Sequence, residues 1–131
     1  METGFIDLHT HILPGVDDGA KDMDTALQLL EMAWENGTGT VVLTPHYRGR
    51  YKRTTPRELQ EIFEELSRRA AERLPGMRLY LGHEAANEHD LSDKLLAGEV
   101  LTLAGTRYVL VEFDERCYRS RVLSSVLDLV N

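Results

Sequence analysis

The chain has 131 residues, of which 42% are hydrophobic and 28% are charged, and its formal net charge is −7. This length allows one domain with a real core, and the negative charge argues against nucleic acid as the main partner, because such binders present basic surfaces. A single cysteine excludes an internal disulfide, and no segment has the pattern of a signal peptide or membrane span. We therefore expect a cytoplasmic protein.

The first third of the chain predicts two buried strands with a helix between them. The apolar runs Gly4 to Leu8 and Thr40 to Leu43 are typical of buried strands. Apolar residues at helical spacing predict a helix from Met23 to Glu35, with Asp22 or Asp24 as its N-cap and Asn36-Gly37 as its end.

The remainder predicts further alternation of helices and strands. The segment from Thr55 to Glu58 has the pattern of a capping box with proline in the first turn, so a long helix begins there and ends before Pro75-Gly76. The other predicted elements are a strand at 77–81, a short helix at 91–97, a hairpin or adjacent strands at 100–103 and 107–113, and a helix at 122–130. This alternation indicates an α/β fold with a largely parallel sheet.

Metal-binding side chains follow each main predicted strand. The imidazoles His9, His11 and His46 and the carboxylates Glu84 and Glu112 come directly after or at the end of strands. Because the carboxyl ends of parallel strands share one face, four separate segments would bring these side chains together. A mixed set of imidazoles and carboxylates is typical of hydrolytic centres with two or three metals.

Taken singly, these residues have ordinary explanations. A His-x-His pair or a lone glutamate is more often solvated or structural than metal-binding, and we assign His83 and His89 no part in the site. The basic cluster from Arg48 to Arg53 is more often a solvated loop than a phosphate clamp. Cys117 has no neighbouring pattern for nucleophilic catalysis. The occurrence of imidazoles and carboxylates at the ends of several predicted strands, and not any one residue, favours a metal site.

Four motifs carry a family resemblance that extends along essentially the whole chain. The segment from Phe5 to Gly19, with His-Thr-His and Val-Asp-Asp-Gly, resembles the first motif of PHP-domain phosphatases. The segments 44–47 (Thr-Pro-His-Tyr), 81–84 (Leu-Gly-His-Glu) and 108–113 (Tyr-Val-Leu-Val-Glu-Phe) resemble the next three. More narrowly, the chain is similar to the bacterial manganese-dependent tyrosine phosphatases encoded with capsule and exopolysaccharide genes.

The resemblance implies a distorted (β/α)7 barrel with three metals at the carboxyl ends of its strands. His9 and His11 would bind the first metal, Glu84 would bridge the first and second, and Glu112 would bind the second. Manganese is the expected metal, although the same ligands suit iron or zinc.

The third metal of such a site would be bound by Asp18 and His46. Asp17 would support the loop instead of coordinating, and Arg48 is the candidate for phosphate contact. The family has a small residue before the bridging glutamate, so His83 is a departure from its pattern.

Three further ligands and an arginine of the family pattern lie beyond the point at which this chain stops, Asn131. We therefore expect residues 1–131 to form the N-terminal half of one PHP domain, incomplete at its C-terminus, with six of nine ligands. An open barrel exposes an unpaired strand edge, so we expect a homo-oligomer.

The function implied is hydrolysis of phosphotyrosine on a protein, with a tyrosine kinase that regulates capsule or exopolysaccharide synthesis as the substrate. One alternative is a PHP phosphatase for a small ester such as histidinol phosphate. The other is an inactive fragment that binds metal or associates with itself.

Overall fold

The computed structural model describes residues 4–131, and its elements follow in alternating order along the chain. The strands are β1 (Phe5–Thr10), β2 (Thr38–Leu43), β3 (His46–Tyr47), β4 (Arg78–Leu81), β5 (Glu84–Ala86) and β6 (Leu110–Glu112). The α-helices are α1 (Met23–Glu35), α2 (Pro56–Arg73), α3 (Leu91–Leu96) and α4 (Arg119–Val130). Two short 3₁₀ segments occupy Gly49–Arg53 and Leu103–Gly105.

All strand pairs in the described part of the chain are parallel. One sheet has the order β1-β2-β4 and the other has the order β3-β5-β6. The chain passes from β2 into β3, and from β4 into β5, across breaks of two residues each, Thr44-Pro45 and Gly82-His83. Backbone hydrogen bonds bridge these breaks, since Gly82 N–H donates to the Leu43 carbonyl at 2.9 Å and Glu84 N–H to the Pro45 carbonyl at 3.0 Å. The predicted α/β fold with parallel strands is confirmed.

The two long helices begin where their caps predict. The Asp22 carboxylate accepts a hydrogen bond from Thr25 N–H at 2.8 Å and so satisfies a free donor of the first turn of α1. Thr55 and Glu58 form the reciprocal capping box that starts α2. Both helices pack on one core with the sheet, and its fully buried members include Leu27, Leu30, Val41, Leu43, Leu59 and Leu66.

The predicted hairpin or pair of adjacent strands at 100–103 and 107–113 is wrong, because only the second segment contains a strand, β6. Residues 100–102 form no strand, and Leu103–Gly105 is a tight turn in which Ala104 has a φ of 54°. Buried Val100 instead packs in a small core with Tyr47 of β3 and Ala85 of β5. The strand that follows, β6, pairs with β5 in parallel, as a crossover connection in an α/β fold requires.

The first strand is present as predicted, but it is not buried. It pairs with β2, and Phe5, Ile6 and Leu8 are 68%, 63% and 53% exposed. The last helix, α4, begins at Arg119, three residues before the predicted start, and it has no fully buried side chain. Within residues 4–131 no helix combines the length and hydropathy that a membrane crossing requires. Neighbouring exposed apolar side chains are therefore found on the edge strand β1 and on the helix α4, while Met32, Tyr80, Leu96 and Tyr108 are exposed on other elements or loops.

Candidate metal centre

The site lies where β1, β3 and β5 meet. His9 is the penultimate residue of β1, and His11 is the first residue after it. Side chains two residues apart on an extended chain lie on the same side, and the Nε2 atoms of the two imidazoles are 3.2 Å apart. His46 and Glu84 lie side by side because they are paired residues of the parallel ladder between β3 and β5.

One carboxylate oxygen is the centre of this arrangement. Glu84 Oε2 lies 3.2 Å from His9 Nε2, 3.0 Å from His11 Nε2 and 3.1 Å from His46 Nδ1. The Glu84 side chain is only 9% exposed. Glu84, the predicted bridging ligand, is therefore buried among three imidazoles.

The predicted ligands Asp18 and Glu112 complete the cluster at its two ends. Asp18 Oδ1 lies 3.2 Å from His46 Nε2, and Glu112 Oε2 lies 3.9 Å from His46 Nδ1. Each ring nitrogen of His46 therefore faces a different carboxylate. The cluster is elongated, with Asp18 at one end and Glu112 at the other.

The donor atoms fall into three overlapping groups, each with its atoms within 4.8 Å of one another. The groups are His9, His11 and Glu84; His46, Glu84 and Glu112; and His11, Asp17, Asp18 and His46. Together they contain all six predicted ligands and, in addition, Asp17. His11, His46 and Glu84 each belong to two groups, and of these three the Glu84 carboxylate has the two oxygens that a ligand shared by neighbouring cations requires.

Two buried polar atoms of the cluster lack hydrogen-bond partners, which fits a site for a bound cation. Although Glu84 Oε2 and His46 Nδ1 are close to each other, both are buried without a hydrogen-bond partner. Unpartnered buried polar atoms are costly and rare in folded proteins. Imidazole and carboxylate donors that converge without sharing a proton are suited to manganese, iron or zinc.

Asp17 holds two of these side chains in place. Its fully buried carboxylate contacts His11 Nδ1 at 2.9 Å and accepts hydrogen bonds from the backbone N–H groups of Gly19 at 2.9 Å and His46 at 3.0 Å. Burial alone raises the pKa of Asp17, but these hydrogen bonds outweigh it and the pKa lies below its usual value. A carboxylate on Nδ1 fixes the tautomer that leaves Nε2 of His11 free to coordinate.

His83 lies in the break between β4 and β5, is buried, and belongs to none of the three groups of donor atoms. Its Nδ1 accepts a hydrogen bond from Leu101 N–H at 2.8 Å. Burial lowers its pKa to about 4, so the ring is neutral at pH 7. His83 thus has the structural role that the sequence suggested, while His89 is exposed on a loop.

A basic loop borders the cluster. Arg48, the candidate phosphate contact, is exposed and lies 3.4 Å from Glu112. Tyr51, which sequence reasoning did not select, stacks on the His46 ring with centroids 5.7 Å apart and planes inclined by 18°. A lone tyrosine in a basic loop gives no sequence signal for this contact.

Residues 5–131 match a family model for capsular polysaccharide synthesis, CpsB/CapC. The chain belongs to the CpsB/CapC family. Among curated members, the tyrosine-protein phosphatase YwqE of Bacillus subtilis is 30% identical over 108 residues, which are 82% of this chain and 42% of that protein. The tyrosine-protein phosphatase CpsB of Streptococcus pneumoniae is 33% identical over 109 residues, 83% of this chain and 45% of that protein.

The fold of the CpsB/CapC family is also present. A crystal structure from work on YwqE of B. subtilis and CpsB of S. pneumoniae, described as metal-dependent tyrosine phosphatases, superimposes with a TM-score of 0.88 at 27% identity. The match covers 96% of this chain and 51% of that one. The predicted resemblance to capsule-associated tyrosine phosphatases is confirmed, and the chain spans about half the length of the relatives it matches.

Proposed function

We propose that this chain carries the metal-binding half-site of a phosphomonoester hydrolase that removes phosphate from tyrosine in a protein. The observation that supports this most directly is the buried Glu84 carboxylate oxygen, which faces three imidazole nitrogens without a hydrogen-bond partner. The names of the relatives, tyrosine-protein phosphatases described as metal-dependent, supply the substrate class.

The ligand roles follow the three groups of donors. His9 and His11 would bind a first cation and Glu84 would bridge it to a second, which Glu112 also binds. Asp18 and His46 would bind a third. Manganese is the proposed metal, with iron and zinc as alternatives that these donors also accept.

Bound cations would supply positive charge to the transferring phosphoryl group and an activated water. The protein contributes the orientation of the donors, since the strand ladder fixes His46 and Glu84 and the Asp17 carboxylate fixes His11. Arg48, exposed beside Glu112, would contact the phosphate. We assign no role to Cys117, whose thiol donates a hydrogen bond to the carbonyl of the adjacent Tyr118 at 3.8 Å and, within residues 4–131, forms no hydrogen bond with a histidine.

The proposed fold is the first half of a (β/α)7 barrel of the PHP type, with residues 1–131 as one incomplete domain. Consecutive parallel strands and the exposed apolar edge of β1 support this. A second copy of the chain would cover that edge, so we propose a homo-oligomer. Light scattering after gel filtration tests it, and a monomer at all concentrations would reject it.

The proposed physiological substrate is a cytoplasmic tyrosine kinase that regulates capsule or exopolysaccharide synthesis. The family description supports the pathway. Incubation of such a phosphorylated kinase with this protein and manganese tests the proposal, with loss of phosphotyrosine as the expected result and unchanged phosphorylation as the result that rejects it.

A second function is favoured by one observation. The curated relatives are matched over only 42% and 45% of their lengths, so residues 1–131 alone would bind metal and lack turnover if the remaining ligands are indispensable.

One experiment separates these possibilities. Metal content is measured by elemental analysis beside manganese-dependent turnover of a phosphotyrosine peptide, for the native chain, Glu84→Gln and the control Glu61→Gln, whose side chain is 65% exposed on α2. Metal and turnover that are both lost only in Glu84→Gln support the phosphatase. Metal without turnover supports the binding fragment, and absence of metal from the native chain rejects both.

A further inference from the structure

The loop at 48–53, which we call the arginine loop, has the sequence Arg-Gly-Arg-Tyr-Lys-Arg. Four of its six residues are basic and none is acidic, whereas the whole chain has a net charge of −7. Such a loop is commonly a solvated surface. In this structure, however, the arginine loop lies beside the metal centre.

The arginine loop borders the metal centre. Arg48 lies against Glu112, one of the proposed ligands. The Tyr51 ring stacks on the His46 imidazole, another proposed ligand. The Arg50 guanidinium donates to the Tyr51 hydroxyl at 3.0 Å, so it lies beside the residue that covers His46.

Within the loop, the lysine and the arginines have different environments. Lys52 turns inward, forms an ion pair with Glu88 and lies 5.8 Å from the centre of the Tyr47 ring. This contact ties the loop to the connection between β5 and α3. Arg50 and Arg53 are exposed, and within residues 4–131 neither lies within 4.0 Å of a carboxylate. Lys52 therefore anchors the loop, and the guanidinium groups of Arg50 and Arg53 remain exposed on the loop that borders the metal centre.

We propose that the arginine loop selects phosphotyrosines that are flanked by acidic residues. The inference rests on the proposed function, because it assumes that a phosphotyrosine occupies the metal centre below the loop. A peptide bound there passes Arg50 and Arg53, and guanidinium groups pair with carboxylates in a fixed two-pronged geometry. Since the protein as a whole is acidic, an acidic peptide is repelled by most of its surface and favoured at this rim.

The test compares two labelled phosphotyrosine peptides that differ only in having Asp or Asn at the positions beside the phosphotyrosine. Binding to the full chain is measured by fluorescence anisotropy with manganese present, and turnover of both peptides is recorded separately. The variants are Arg50→Gln and Arg53→Gln. The matched control is Arg78→Gln, which removes one exposed guanidinium at the start of β4, at the opposite end of the strands. Circular dichroism verifies that each variant is folded.

The native chain is expected to bind the Asp peptide more tightly, and each loop variant to lose roughly threefold in affinity for it while its affinity for the Asn peptide stays nearly constant. The control is expected to keep the full preference. Added salt should weaken the preference.

Equal binding of the two peptides by the native chain, failure to bind either, or a preference that persists in both loop variants would overturn the proposal. A preference without turnover would support it and count against the proposed hydrolysis. Turnover without a preference for the Asp peptide would support the proposed hydrolysis and reject the proposed selectivity. The two proposals can therefore fail separately.

Discussion

Gly19 lies so close to His11 that a β-carbon at position 19 would be 2.0 Å from the His11 carbonyl oxygen and 2.6 Å from the His11 Cβ. Real β-carbons do not approach other atoms so closely, so the site requires glycine for space. The Gly19 N–H also donates to Asp17. A residue without chemistry of its own thus sets the position of a proposed ligand.

Gly19→Ala should therefore displace His11 and weaken metal binding by about tenfold or more. Isothermal titration with manganese measures the affinity. Gly4→Ala is the control, because a β-carbon at position 4 meets nothing within 4 Å. Native affinity in a folded Gly19→Ala protein would show that His11 is not held by this contact.

Asp17→Asn should lower metal affinity by about ten- to a hundredfold, which is the usual effect of losing the carboxylate behind a metal-bound histidine. The amide keeps the size of the side chain, but it removes the charge and one of the two acceptor oxygens that His11, Gly19 and His46 share. Elemental analysis and titration measure the loss, with exposed Asp24→Asn on α1 as the control. Equal metal content in the two variants would contradict a supporting role for Asp17.

His83 should make the chelated, metal-free protein less stable in acid. Burial lowers the pKa of His83 in the folded protein to about 4, from the usual histidine value of about 6.5, so the unfolded chain binds the proton more readily. The contribution of neutral His83 to the free energy of unfolding is complete above pH 6.5, and it is lost as the pH falls toward 4. At pH 5 the loss amounts to roughly 2 kcal/mol.

The comparison uses urea unfolding at pH 7 and pH 5 for the native chain and His83→Asn. Asparagine can still accept the Leu101 N–H and does not titrate in this range, so its stability should fall less between the two pH values. Parallel losses in both proteins would show that other groups cause the acid sensitivity.

Cys117→Ser should leave both metal content and phosphotyrosine turnover unchanged, because the proposed chemistry uses no thiol. A chelator should abolish any turnover in both proteins. Turnover that survives the chelator and is lost in the serine variant would instead indicate a cysteine nucleophile.

Local signals predicted much of the fold. The caps at Asp22 and Thr55 and the alternation of strands with helices each depend on neighbours in sequence, and the structure has them where they were expected. The failures depend on distant contacts. The hairpin near residue 104 was wrong because Val100 packs in a core shared with β3 and β5, which no local pattern reveals.

In the candidate site, too, the features that depend on neighbours in sequence could be predicted, and those that depend on distant contacts could not. The ends of the strands predicted which side chains converge, since parallel strands share a face. Burial of Glu84 and exposure of β1 could not be predicted, because burial is decided by how many elements cover a residue. Asp17 and Asp18 are adjacent in sequence, and only the backbone donors of Gly19 and His46 distinguish the buried acceptor from its exposed neighbour.

The ladder between β3 and β5 has a consequence for how such a site tolerates sequence change. His46 and Glu84 are cross-strand partners, so their separation is set by the repeat of main-chain hydrogen bonds, which every amino acid except proline can form. Substitutions on the helices or on the outer faces of the strands leave that repeat intact. A slip of one strand by one residue, in contrast, would turn its side chains to the opposite face and separate the two donors. The distance between these two donors is thus set by main-chain hydrogen bonds and not by neighbouring side chains. It can therefore persist in relatives that share fewer than a third of their residues with this chain.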